Sequence, residues 1–281
     1  MDHKAINYKN IPVQADVISG IIRLDSESNN CFRELDNYLR SDQGVAMLVL
    51  KVANSPLYSR GRRIATIPTA ITVLGFNVVR SLAMLAFSRS MFSKSRNPLF
   101  RLHIWQHSLL VALAGQLICQ GLGGEKTKDE AFIAGLMHDM GKVLLFTHDE
   151  ARYLEVFDLI FEHGSNCSEA ETRISGCDSH QVGTEAVIQW KLPERFADYM
   201  GRDLSSTRPG LEADKVLQSL MVANMLIESA GVGGRAEPDS TAYKAVLSEL
   251  GLAAAQYEPW LLPEFITNLM ADETYQLFAS L

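Results

Sequence analysis

At 281 residues, with 47% hydrophobic and 21% charged side chains, the chain can bury a full core and has room for one large domain or two small ones. No run of about 18 uninterrupted apolar residues occurs, and the start, MDHKAINYKN, is polar. Neither a membrane span nor a secretory signal is therefore expected, and the expected location is the cytoplasm. The four cysteines, Cys31, Cys119, Cys167 and Cys177, form no C-x-x-C pair, which fits reduced thiols rather than a disulfide framework or a thiolate zinc site.

Helix signals dominate in chain order and strand alternation is nearly absent, so the expected fold class is all-α. Val17, Ile18, Ile21 and Ile22 fall at helical spacing, and CFRELDNYLR continues with Phe32, Leu35 and Leu39. Ser41-Asp42 caps QGVAMLVLKVAN, which stops before Ser55-Pro56. A basic loop, YSRGRRIAT, follows, and TIPTA places Pro68 in the first turn of a helix ending at Gly75. Asn77 is positioned to cap VVRSLAMLAFSRSMF. Asn97-Pro98 opens a long helix through LFRLHIWQHSLLVALAGQLICQ, closed by GLGG. Thr127 and Glu130 have capping-box spacing ahead of a continuous helix, AFIAGLMHDMGKVLLF, from Ala131 to Phe146. Further helices are expected over 152–162, 181–190, 215–229 and 241–250, with a last one from Pro263-Glu264.

The helix from Ala131 to Phe146 is apolar on every side, yet His138, Asp139 and Lys142 stand at its centre. Burying such groups unpaired costs roughly 2–7 kcal/mol for a neutral polar group and more for a charge, so they require hydrogen bonds, ion pairs or a metal. One reading is a structural cluster in which Lys142 reaches back to Asp139 at i, i+3. The other adds His107 and His180 to His138 and Asp139, giving three imidazoles and a carboxylate suited to a divalent metal. His103, one turn before His107, forms H-x-x-x-H without the glutamate a zincin helix requires, and Ile104 stands in that place.

Several segments together resemble the HDOD domains, a diverged branch of the HD phosphohydrolase superfamily. They are SDQGVAMLVLKVANSPLYS, TIPTAITVLGFNVVRSLAML, WQHSLLVALAGQLI, AFIAGLMHDMGKVLL and SHQVGTEAVIQWKLP, and the likeness runs from about Ile11 to Asp203. The resemblance implies an HD-domain-like helical bundle divided into an N-terminal helical subdomain (1–100), an HD-like core (101–205) and C-terminal helices completing that lobe (206–281). It implies a role in bacterial signal transduction and descent from metal-dependent phosphohydrolases. By position, His107, His138 and Asp139 match the superfamily's first metal-binding groups, and His180 matches a further histidine of the HD-GYP relatives. Three features depart from those enzymes. No histidine pair follows W-x-L-P, since the chain reads ERFADYMGRDLS; the G-Y-P motif is missing; and the closing aspartate position is Asn224. An amide is a neutral, weak metal ligand, so the expectation is a noncatalytic module with no cofactor, its polar core formed by His107, His138, Asp139, Lys142, His180 and Asn224. The alternative is a phosphohydrolase holding a single divalent metal on His107, His138, Asp139 and His180.

The net charge of −7 hides an asymmetry. Between Asp42 and Glu125 there are nine basic residues and no acidic one, leaving 17 basic against 33 acidic residues elsewhere. Within this block, Arg60, Arg62, Arg63 and Arg80 form a candidate anion or partner surface, with Lys94 nearby in sequence. A signalling protein is the favoured partner; nucleotide or nucleic-acid binding through residues 51–101 is a further alternative, and the acidic remainder of the chain weighs against it.

Overall fold

The computed structural model describes residues 6–8, 15–59, 61–92, 95–205, 214–236, 241–262, 264–272, 275–276 and 279. Arg60, Lys94 and Pro263 lie outside the described residues.

The first group of helices comprises α1 (Ala15–Arg23), α2 (Cys31–Ser41), α3 (Gln43–Ala53), α4 (Pro56–Ser59), α5 (Ile67–Leu74) and α6 (Phe76–Phe92). The second holds α7 (Pro98–Phe100), a π-helical turn (Arg101–Gln106), α8 (His107–Gly121), α9 (Lys128–Met137), α10 (Met140–His148), α11 (Glu150–Phe161), α12 (Cys167–Ser175), α13 (Ser179–Gln189) and α14 (Phe196–Met200). Then come α15 (Lys215–Ser229), α16 (Thr241–Glu249), α17 (Ala254–Tyr257), a 3₁₀ turn (Glu258–Leu261) and α18 (Glu264–Ala271). No strand occurs among the described residues, and the fold is all-α.

Local chemistry sets most boundaries. Asp42 caps α3 by accepting the Val45 N–H, Thr66 caps α5, and Asn97 accepts the Leu99 N–H ahead of Pro98. Gly75, at φ +84°, turns the chain by 113° between α5 and α6, a conformation that only glycine adopts without strain. Asn54 ends α3 and staples the basic loop: its amide donates to the Ile64 carbonyl at 2.7 Å and accepts the Ile64 N–H at 2.9 Å.

Three expectations are corrected. Asn77 lies inside the first turn of α6 rather than before it, and its Oδ1 is buried without a partner. The capping box at α9 does not form, because the Thr127 hydroxyl donates to the Gly124 carbonyl and Glu130 is engaged by Arg195 and Tyr199. The expected helix from Ala131 to Phe146 breaks at His138-Asp139 into α9 and α10. A helix absent from the sequence reading, α12, is capped by Asn166, which accepts the Ser168 and Glu169 N–H groups.

The core of the second group is α8 packed on α9 and α15, with α10 on α13; α6 packs on α9 and joins the first group to it. The continuous helical run Pro98–Gly121 is long and apolar enough to cross a membrane by length and composition, but 78% of its apolar window is buried inside the protein, as in a core helix. The seam between the groups is latched at Lys191, whose left-handed backbone (φ +53°) offers its carbonyl to Ser19 Oγ (2.6 Å) and Arg23 Nη2 (2.5 Å).

Small residues allow the closest approaches. A Cβ on Gly141 would stand 1.8 Å from the Ser179 carbonyl oxygen, and one on Gly135 would stand 2.5 Å from the Ala112 Cα. Gly141→Ala must therefore separate α10 from α13. It is expected to lower the unfolding free energy by about 3 kcal/mol or more in a denaturant titration, the scale of severe overpacking.

Candidate metal centre

The site is assembled by three local devices. First, the π-helical turn ahead of α8 directs both His103 and His107 inward, to 8% and 0% exposure. Second, the α9–α10 break overrides the roughly 100° divergence of neighbouring helical residues, so His138 and Asp139 face one point. Third, Gly141 lets α13, which carries His180, close over that point.

Backbone carbonyls fix the imidazoles. His107 Nδ1 donates to the Val232 carbonyl at 2.9 Å, and His138 Nδ1 donates to the Gly135 carbonyl at 2.8 Å. Each Nε2 then carries a bare lone pair. These two atoms lie 3.2 Å apart, and Asp139 Oδ2 lies 3.5 Å from His107 Nε2 and 3.4 Å from His138 Nε2. Three acceptors thus converge, and the donor that reaches one of them is Lys142 Nζ, 3.0 Å from Asp139 Oδ2.

That donor set fits a metal ion. Ligands held at about 2.1 Å on a tetrahedron are separated by about 3.4 Å, close to the three observed separations. The Nδ1–carbonyl bonds are the outer support that metal-bound histidines commonly have. Among the described residues, His107, His138 and Asp139 form the group whose ligand atoms are mutually close. His180 stays outside it, half-buried, and faces the same small cavity instead.

Lys142 meets Asp139 at 3.0 Å through both carboxylate oxygens, as the i, i+3 spacing predicts. Burial opposes the lysine's charge, yet Asp139 carries its pKa well above the ordinary value. Burial likewise pulls the Asp139 carboxyl upward, but the charge beside it, with Lys142 at 3.0 Å, outweighs burial and holds it well below the carboxylate range. Burial lowers all three histidines: His107 to about 3, His103 to about 4 and His138 in the same direction. With the imidazoles neutral, Lys142 is the full positive charge opposite Asp139.

Asn224 is 2% exposed; its amide donates to Ser205 Oγ at 3.1 Å, and its Oδ1 has no hydrogen-bond partner. His138, Asp139, Lys142, His180 and Asn224 border a cavity of about 20 Å³. A larger cavity of about 450 Å³ lies beyond Cys167 and Ser205, and none of the three donors lines it. The candidate arginines separate: Arg62 and Arg63 are exposed on the loop held by Asn54, whereas Arg80 lines a different cleft against α9.

Sequence reasoning missed the supports of the site. The loop Gly231–Arg235 carries no site motif, yet Val232 orients His107 and the Gly233 N–H donates to His103 Nδ1 at 3.3 Å. Gly233 is packed so closely that a Cβ would fall 2.1 Å from His107 Nδ1. Glu171, fully buried, accepts from the Tyr153 hydroxyl (2.5 Å) and the Ser179 N–H (2.6 Å), tying α11 to the start of α13. Its i, i+4 neighbours give no sequence signal for this role.

The HDOD domain model matches residues 11–203. The chain belongs to the HDOD domain family. Solved structures match across nearly its full length. An HDOD domain protein with unknown function from Geobacter sulfurreducens is 24% identical with a TM-score of 0.69, covering 96% of this chain and 92% of that one. A candidate signal transduction protein from Marinobacter aquaeolei VT8 is 22% identical with a TM-score of 0.73; 96% of this chain is covered, and it spans 60% of that protein. A candidate phosphohydrolase from Shewanella amazonensis SB2B is 17% identical with a TM-score of 0.65, covering 97% and 94% of the two chains. No curated protein matches. The HDOD chain therefore shares its fold with relatives named for signalling and for phosphohydrolysis alike.

The depressed histidines give a pH prediction. The unfolded imidazoles bind protons below about pH 6.5 and the folded ones only near pH 3–4, so their stabilisation is complete above 6.5 and lost as pH falls toward 4. Asp139, also depressed, loses its contribution only below its ordinary value near 4, outside that window. Unfolding free energy measured in EDTA is expected to fall between pH 6 and 4 by up to about 1.4 kcal/mol per pH unit for each buried histidine. His103→Phe should flatten the slope by about one histidine's share.

Proposed function

We propose that this HDOD chain is a regulatory module of bacterial signal transduction, located in the cytoplasm, which acts through a protein partner and has no phosphohydrolase activity. The observation that carries the reading is the 20 Å³ cavity over His138 and Asp139, room for one water and not for a phosphoryl group. Asn224, at the position the family resemblance assigns to a closing aspartate, supports it: its amide nitrogen is committed to Ser205.

His107, His138 and Asp139 would hold a single divalent ion, which supplies Lewis acidity when bound. In this chain the same three residues would brace α8 against the α9–α10 junction. The supporting partner surface is the groove of Leu57, Tyr58, Ser59, Arg62 and Val73, where Leu57 is 44% and Val73 42% exposed beside Arg62. Its apolar floor and basic rim suit an acidic amphipathic segment of a signalling protein.

The second reading is a phosphohydrolase with a one-metal site, favoured by the fit of the three donor atoms to an ion. Purified protein loaded with manganese, zinc or iron and offered cyclic dinucleotides distinguishes the two. The regulatory reading expects no turnover above that of a His138→Asn/Asp139→Asn double variant. Metal-dependent hydrolysis that the double variant abolishes would establish the second reading.

A further inference from the structure

A cleft of about 590 Å³ lies along the seam of the two helical groups, lined by Ile22–Ser26 at the end of α1, Arg80 on α6, Lys126 just before α9, Glu130 in its first turn, and Pro193–Arg195. It is at the other end of α9 from the His138-Asp139 break, about 12 Å away at 1.5 Å per residue, so it does not share the metal centre.

Four cations border this cleft, and two are already engaged. Arg195 pairs with Glu130 at 2.5 Å, and Glu130 also accepts from the Tyr199 hydroxyl at 3.2 Å. Arg23 donates to the Lys191 carbonyl. Arg80 and Lys126 are left. The Arg80 guanidinium lies over the Phe76 ring at 5.8 Å, and its Nε is buried with no hydrogen-bond partner. Asp129 and Glu130 act on it through their charge but make no hydrogen bond to its Nε; Asp129 accepts from Gln116 at 3.0 Å and Glu130 pairs with Arg195. Burial dominates the environment of this group and lowers its pKa, which is the signature of a desolvated cation with incomplete compensation. A buried, unpaired N–H of a charged group is costly, and an anion entering from the cleft would offset that cost.

We propose that this cleft binds a phosphorylated small molecule of mononucleotide size, with Arg80 as the preset contact in its wall and Lys126 closing on the phosphate from the rim. The volume lies within the range of small-molecule sites. Two uncommitted cations match the charge of a phosphate monoester, and a guanidinium binds its oxygens in a fixed planar geometry. Asp25 and Glu194 on the same cleft disfavour a nucleic-acid strand, whose continuous phosphates need a basic track. Because Arg80 belongs to the first helical group and Lys126 to the second, a bound ligand ties the seam together.

The test is thermal unfolding and titration calorimetry of the full chain at constant ionic strength with AMP, GMP, inorganic phosphate and sulfate as probes. The expected result is a saturable rise in Tm with a nucleoside monophosphate, larger than with sulfate, together with at least a tenfold weaker Kd in Arg80→Met and a severalfold weaker one in Lys126→Ala. Arg152→Ala, on α11 and outside the cleft, should leave Kd unchanged. If Arg80→Met does not fold, Lys126→Ala and Arg80→Lys carry the comparison. No saturable shift at millimolar nucleotide overturns the proposal. So does an equal response to sulfate, an adventitious anion only, or tighter binding of a single-stranded oligonucleotide than of its mononucleotide.

Discussion

Three lone-pair donors held within 3.5 Å of one another in a water-excluded core are the constraint around which this HDOD chain is built. Acceptors do not converge of their own accord; the surrounding structure has to hold them. The Val232 and Gly135 carbonyls lock the imidazole tautomers, Lys142 supplies the charge opposite Asp139, and the π-turn, the α9–α10 break and Gly141 bring the donors and α13 to one place. The same arrangement can be closed by a cation or kept as a packed polar centre, and both demand the same neighbours.

Much of the fold was legible because it is governed by local chemistry. The caps at Asp42, Thr66 and Asn97, the turn at Gly75 and the Asp139–Lys142 pair follow from residue type and spacing, and each is present. The sequence grouped His107, His138, Asp139 and His180, and the structure brings the first three together, but their geometry was not legible. A regular helix would hold His138 and Asp139 about 100° apart, and only tertiary packing against α13 makes the break at that dipeptide worthwhile. Backbone carbonyls and glycine N–H groups carry no residue signature, which hid the role of Val232 and Gly233. The arginines were read as one block because they are neighbours in sequence; the 113° turn between α5 and α6 separates Arg62 from Arg80 in space.

This division bears on function. The donor trio lies beside a cavity of only about 20 Å³, while the larger clefts include a groove beside Arg62 on the first helical group and a polar cleft at the seam. Helix α9 runs from that cleft to the His138-Asp139 break.

The most direct test of that architectural role is a double-mutant cycle on Asp139 and Lys142, read as unfolding free energy in EDTA. If the pair is a packing centre, Asp139→Asn and Lys142→Met alone should each cost about 3–5 kcal/mol by stranding a buried charge, and the double variant should recover most of that loss. Single variants with unchanged stability, or a double variant whose loss is the plain sum of the two, would contradict the account.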